Sequence, residues 1–325
     1  MCTSLTYHTK DTYFGRTFDY YFSYGEKVVI TPRNFPLYFK DKKLNINHHF
    51  AFIGIAHVNS NYPLYYDAIN EKGLAIAGLN FVGEAELNNK KNNVDNIAQF
   101  EFIPWILSQC KSVKEAIKFL KQINITNQAF SDKFVPAQLH WIIADSSQCI
   151  CFESLKEGIK IHFNPVGVLT NNPRFEYQLF NLNNYLMLSN RFPKNNFSNQ
   201  LKFSFNCNGL GGFGLPGDVS SQSRFVRASF NKLNSKSKKD EISSVNQFFH
   251  IINSVEQIKG CCKLENKKDE ITIYSSCCNL SSGTYYYTTY NNHQINAINM
   301  FNEDLNSEKL IIFDLCDKES INYQN

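Results

Sequence analysis

Hydrophobic residues fall in short, mostly β-prone runs along the first third of the chain. Cys2 to Tyr7 predicts a strand, Lys10-Asp11 a turn, and Tyr13 to Phe18 the returning arm of a hairpin. Lys27 to Thr31, Ala51 to Ala56 and Leu74 to Leu79 predict further strands, the last two apolar enough to be covered on both faces. The period then changes. Phe102 to Cys110 is apolar all round, with Pro104 tolerable in a first turn, and predicts a buried helix. Ser112 and Glu115 make a capping box ahead of Val113, Ala116, Ile117 and Leu120, which share one helical face. A second strand block runs from Leu139 to Thr170, turning at Asp145 to Gln148. Helices are predicted near 176–188, 224–234 and 244–258, the last with Ser244 and Gln247 as its capping box and Gly260 as its stop. A final hairpin pairs Ile271 to Cys278 with Thr284 to Tyr290. Strands in blocks with helices between them predict an α+β fold, antiparallel sheets with helical layers, rather than strict βαβ alternation.

Composition narrows the function classes. The 325 residues are 43% hydrophobic and 14% aromatic, enough to bury a large core. Length permits one large domain or two; with no long linker, a single domain over 1–325 is the expectation. The net charge is +4 and only six residues are Arg, so no guanidinium field points to nucleic acid. The start of the chain lacks the charged and apolar segments of a secretory leader, and no apolar run nears the roughly 18 residues of a membrane span. A cytoplasmic protein without stable membrane association is expected. The ten cysteines are scattered, which favours free thiols over a disulfide framework. The Lys-rich stretches 236–241 and 263–270 are expected to be solvated loops.

One cysteine stands apart. Removal of Met1 would leave Cys2 carrying both a thiol and a free α-amine. An α-amine has an unperturbed pKa near ~8, so a neutral fraction can accept the thiol proton at neutral pH. One residue then supplies nucleophile and base, as in N-terminal nucleophile hydrolases. Phe14-Gly15-Arg16-Thr17-Phe18-Asp19 lies on the return arm of the first hairpin, so antiparallel pairing can bring Arg16 and Asp19 back beside Cys2. There a guanidinium would favour thiolate, and a carboxylate could orient the amine. Read locally, the same two residues are an ordinary Arg and Asp near a turn.

The motifs together are recognisable. Met-Cys-Thr at the start, Phe-Gly-Arg-x-x-Asp soon after, Asn70 to Leu74 leading to Ala77-Gly-Leu-Asn-Phe81, Gly167 to Pro173, and Leu215-Pro-Gly-Asp218 before Ser223-Arg-Phe225 resemble the choloylglycine hydrolase family over nearly the whole chain. Within it, the chain looks like the bile salt hydrolases, with penicillin V acylases as the sister group. The resemblance implies a four-layer αββα sandwich of two antiparallel sheets between helical layers, the N-terminal nucleophile hydrolase fold. It implies Cys2 as nucleophile after loss of Met1, with Arg16, Asp19, Asn80, Asn171 and Arg224 completing the catalytic site. Asn80, at a strand end, can offer an amide N–H to an oxyanion. Asn171 can hold the amine or the substrate amide, though Asn172 competes for that place, since one residue of register would exchange them. Arg227 is the neighbour expected to pack or face solvent.

The implied reaction is hydrolysis of the amide of glycine- or taurine-conjugated bile salts, such as glycocholate and taurocholate, through a thioester. No metal or organic cofactor enters, and the resemblance implies a homotetramer. Pocket positions matched to the family are Phe18, Phe130, Phe134 and Leu139; each is equally explicable as core. Asn59 stands where relatives are often apolar. Asn80 leans the reading toward bile salts, because penicillin V acylases often carry Tyr at the matching place. A non-catalytic bile-acid-binding homologue is the third reading. Cys261-Cys262 and Cys277-Cys278 lack the C-x-x-C spacing of a zinc site, and adjacent strand residues point apart. His48, His49 and His140 are not needed as bases; His140 is expected to be a hydrogen-bonded strand residue.

Overall fold

The computed structural model describes residues 1–203 and 207–325. Its strands are β1 (Cys2–His8), β2 (Thr12–Tyr20), β3 (Lys27–Thr31), β4 (Phe52–Asn59), β5 (Tyr62–Asn70), β6 (Ala75–Asn80), β7 (Asp95–Ala98), β8 (Ile123–Thr126), β9 (Leu139–Ala144), β10 (Cys149–Leu155), β11 (Gly158–Phe163), β12 (Val168–Leu169), β13 (Ile271–Asn279), β14 (Thr284–Thr289), β15 (Asn292–Asn299) and β16 (Ile311–Asp314). The helices are α1 (Phe102–Gln109), α2 (Val113–Leu120), α3 (Phe175–Asn181), α4 (Ser221–Asn234) and α5 (Glu241–Asn253). One antiparallel sheet has the order β12-β1-β2-β13-β14-β15 and a second β11-β10-β9-β6-β5-β4-β3-β16. The sheets meet through β1, β2, β5 and β6, while α4 and α5 pack on the first and α1 on the second. The layers therefore run helix, sheet, sheet, helix.

This layering explains the doubly apolar strands. Ala75, Ala77 and Leu79 join the core between the sheets, whereas Leu74 and Ile76 join a second core beneath α1 and α2. Val28 and Ile30 divide from Val29 in the same way. A strand covered on both faces has no polar side to alternate with. Among the described residues no helix is long and apolar enough to cross a membrane.

Local chemistry behaves as read at several places. The first hairpin pairs Cys2 with Phe18 and His8 with Thr12. Ser112 caps α2 by accepting from the Glu115 N–H. Asp145 Oδ1 takes the N–H groups of Ser147 and Gln148, closing the predicted turn. Other expectations need correction. The box at Ser244 and Gln247 does not form: Asp240 caps α5 by accepting from Ser243 N–H at 2.8 Å, and Ser244 lies buried inside the helix. The helix starts at Glu241, because the Asp240 carboxylate one turn before Ser244 satisfies the Ser243 N–H, and it ends at Asn253, short of Gly260. The predicted 176–188 helix is α only over Phe175–Asn181, continuing as a 3₁₀ turn through Tyr185. Nor are the Lys-rich stretches wholly solvated, since Glu270 is buried and Glu241 opens α5. The central strand β5 carries Pro63 and Asp67, which mask it in sequence.

Candidate active site

The first hairpin builds two faces. Direct pairing of Cys2 with Phe18 and of Ser4 with Arg16 puts the side chains of Cys2, Arg16 and Phe18 on one side of the sheet, and those of Thr3, Thr17 and Asp19 on the other. Gly15 makes this possible: a Cβ there would sit 1.9 Å from the Ser276 carbonyl oxygen on β13, so only glycine lets β2 lie so close. Arg16 crosses toward the second sheet, its Nη1 donating to the carbonyls of Tyr66 (3.0 Å) and Gly78 (2.6 Å) and its Nε to that of Thr17 (3.0 Å). Burial opposes the Arg16 charge, but Cys2, Tyr274, Asp67 and Asp19 outweigh it and hold the guanidinium firmly protonated.

The main-chain nitrogen of Cys2 donates to Asn171 Oδ1 at 2.8 Å. The same oxygen accepts from Arg224 Nη2 at 2.8 Å, and Asn171 Nδ2 donates to the Asn80 carbonyl at 2.8 Å. Arg224, in the first turn of α4, also donates through Nη1 to the Cys2 carbonyl and to Thr3 Oγ1, both at 2.6 Å. Asn171 is thus the residue brought to Cys2, whereas Asn172 turns away and donates to the Val82 carbonyl. The register question is decided by the short strand β12, whose Leu169 pairs with Ser4. Arg227 is half-buried and caps backbone carbonyls of Ser254, Pro216 and Asp218.

Asp19 is fully buried and accepts from Thr272 Oγ1 (2.7 Å) and Thr17 Oγ1 (3.1 Å). Burial pushes its carboxyl up, and the chain's amino terminus, Arg224 and the two hydroxyls pull it back. Its backbone exchanges hydrogen bonds with Met1. The Met1 ammonium also pairs with Glu270, and burial lowers its pKa against the pull of Cys2 and Asp19.

In front of Cys2 opens a cavity of about 280 Å³, lined by Cys2, Arg16 and Asn80 and by a largely aromatic wall. All four expected pocket positions, Phe18, Phe130, Phe134 and Leu139, line it. Tyr20, Tyr24, Tyr66, Phe100 and His57 line it as well and escaped the sequence reading. The run Tyr20-Tyr21-Phe22-Ser23-Tyr24, directly after the Arg16/Asp19 motif, was the available signal. Phe18 lies 4.4 Å from Tyr66 and 5.4 Å from Tyr274, ring centre to ring centre. Asn59 stands at the outer end of β4, where its Oδ1 accepts from Ser60. A roomier cleft of about 610 Å³ lies around Lys232 near the end of α4. Burial pushes its thiol, Cys149, up to about 12 and its amine, Lys232, down to about 8.

His48, His49 and His140 have structural partners. His49 is buried between the Phe35 and Phe50 carbonyls, and His48 contacts Asn34. His140 is fully buried, with Nε2 2.8 Å from the Thr170 carbonyl and Nδ1 3.2 Å from Glu153 Oε1. Burial would raise the Glu153 carboxyl, but His140 and His162 pull it down to about 2. A carboxyl depressed by folding stabilises the protein above its unfolded pKa, and the gain is lost as pH falls through the folded value. Glu153→Gln is therefore expected to lose on the order of 3 kcal/mol at pH 7. In urea unfolding the gap to wild type should close between about pH 4.5 and 2; a gap unchanged across that window would contradict the account.

The chain matches the model of the linear amide C–N hydrolases, choloylglycine hydrolase family, over residues 2–313. It is 54% identical to the bile salt hydrolase/transferase of Lactiplantibacillus plantarum over 315 residues, 97% of each chain. It is 36% identical to the bile salt hydrolase/transferase of Clostridium perfringens, over 100% of each. Among solved structures it is similar to a variant of the conjugated bile acid hydrolase of Clostridium perfringens, with TM-score 0.93 at 34% identity and 100% of both chains covered. It shares its fold with the penicillin V acylase of Agrobacterium tumefaciens, with TM-score 0.74 at 20% identity over 96% of this chain and 91% of that one.

Proposed function

The chain belongs to the choloylglycine hydrolase family, and from that premise we propose that it deconjugates bile salts, cleaving the amide between a cholanoyl group and glycine or taurine. One observation carries the reading: Cys2 presents its sulfur to an aromatic cavity beside Arg16, while its main-chain nitrogen is gripped by Asn171. Once Met1 is removed, that nitrogen is an amine and takes the thiol proton. The thiolate attacks the amide carbon, and the resulting oxyanion is met by the Asn80 side-chain N–H. The α-ammonium gives its proton to the departing nitrogen as the C–N bond breaks, leaving a thioester and free glycine or taurine. The amine then takes a proton from water, whose oxygen attacks the thioester carbon; expulsion of the sulfur, which takes back the proton, frees the bile acid.

Within this mechanism Asp19 orients the amine, Arg16 favours thiolate, and Arg224 holds Asn171 and the Cys2 carbonyl. Phe18, Phe130, Phe134 and Leu139 hold the steroid, an apolar body for which an aromatic wall is the matching surface. Side-by-side assays with glycocholate, taurocholate and penicillin V test the assignment. Faster cleavage of a bile salt is expected, and faster cleavage of penicillin V at matched concentration would overturn it. The same reading makes 1–325 a single domain acting in the cytoplasm as a homotetramer. Strongly exposed apolar side chains, Phe180 on α3 and Leu186, Met187, Phe197 and Phe213 after it, support self-association through this face. Light scattering is expected to give four times the 37.5 kDa chain mass, and a monomer at micromolar concentration would refute it.

A further inference from the structure

Behind Arg16 lies a carboxylate to which the mechanism above gives no part. Asp67, on β5, is fully buried between the two sheets. Its Oδ1 accepts from Tyr274 OH at 2.7 Å, and its Oδ2 from Tyr285 OH at 2.6 Å and Ser276 Oγ at 3.0 Å. All three donors come from the opposite sheet. Ser276 Oγ in turn accepts from the backbone N–H of Arg16 at 3.2 Å, so a continuous chain of hydrogen bonds joins Asp67 to the strand bearing Arg16. The next residue along β5, Tyr66, receives Arg16 Nη1 on its carbonyl.

The charges around Asp67 are one-sided. From β2 it faces Arg16; from β13, Tyr274, Ser276 and Cys278; from β14, Tyr285. Its pairing partner on β6 is Ala77 and on β4 is Ile55, and α1, on the far side of β5, has no ionisable side chain. Arg16 is itself 1% exposed, and the described hydrogen bonds of its guanidinium all go to backbone carbonyls, which carry no net charge. Burial pushes the Asp67 carboxyl up, and Arg16 together with the three hydroxyls pulls it back toward the ionised form; a buried guanidinium needs a countercharge, and three donors aimed at one carboxylate are the arrangement that supplies it without water. Tyr274 also stacks on Phe18, so the same knot supports the wall of the cavity.

We propose that Asp67 is a positioning residue of the reaction: a buried anion that balances Arg16 and, through Ser276, fixes the strand carrying Arg16 and Phe18 against Cys2. The inference rests on Cys2 being the nucleophile. Removing the anion leaves the Arg16 charge uncompensated, which favours thiolate while loosening its placement. Tyr285→Phe acts in the same direction but less, because a carboxylate with fewer donors loses its charge sooner as pH falls.

The test is alkylation of Cys2 by iodoacetamide at pH 6 and pH 8 in the mature full chain, read from the mass of the N-terminal peptide. The ratio of the two rates cancels changes in access. For Asp67→Asn the pH 6 to pH 8 ratio is expected to rise about five-fold over wild type, and for Tyr285→Phe about two-fold. Turnover is expected to fall about ten-fold in Asp67→Asn. If Asp67→Asn does not fold, Tyr285→Phe decides alone. A ratio equal to wild type in a folded variant would overturn the proposal, whatever happened to stability. A wild-type Cys2 inert at both pH values would instead strike the nucleophile reading, and this inference with it.

Discussion

Replacement of Cys2 by Ala is expected to abolish amide hydrolysis, a loss of at least ~10⁴ in turnover, and replacement by Ser to leave at most a trace. The alanine removes the bond-forming atom while leaving the scaffold intact: the main-chain nitrogen still meets Asn171, the carbonyl still meets Arg224, and the paired hairpin is untouched. The serine keeps a nucleophile of similar size, but one far harder to deprotonate than the thiol it replaces. Glycine release from glycocholate, measured alongside circular dichroism, checks both variants. Appreciable turnover in folded Cys2→Ala would mean that the chemistry runs elsewhere, and no reading of the cavity could be kept.

Nearly as large a loss is expected when any residue is retained ahead of Cys2, for instance by an N-terminal extension that is not removed. The nitrogen that must take the thiol proton is then an amide, which has no usable basicity. At least ~10³-fold lower turnover is therefore expected for a protein whose intact mass shows the extension in place, with activity returning when a site-specific protease cuts immediately before Cys2. Full activity with the extension retained would require a different base; His140 is engaged by Thr170 and Glu153 and His49 by two backbone carbonyls, which leaves His57, on the cavity wall, as the residue to test next.

The two experiments separate the sulfur from the nitrogen. A loss in the first alone would leave a cysteine enzyme with an unidentified base. Losses in both are the signature of one residue serving two roles.

Much of this is legible in the amino-acid sequence. The pairing of Cys2 with Phe18 follows from one short turn and two β-prone arms, and it carries Arg16 and Asp19 to the right strand. Local capping chemistry placed α2 correctly at Ser112 but misplaced the start of α5, since Asp240 and Ser244 are both good caps and only packing chooses between them. The pocket positions taken from the family likeness all line the cavity, yet most of its aromatic wall went unread. Tyr20, Tyr24 and Tyr66 look in sequence like any core aromatics, and their shared cavity exists only once the sheets are stacked.

The amino-acid sequence by itself determined the first hairpin, most of the strands between the sheets and the presence of helical segments, because these depend on periodicity and turn residues; the αββα layering and the role of Cys2 were implied by the family resemblance of its motifs. Only the tertiary structure decided which asparagine meets the Cys2 nitrogen, why Gly15 is required, and that Asp67 stands behind Arg16. Those contacts join residues 169, 261 and 209 positions apart, Asn171 to Cys2, Gly15 to Ser276, and Asp67 to Ser276. Contacts over such separations are set by sheet register and by the stacking of one sheet on another, and a one-residue slip in either would replace every partner without changing a single local propensity.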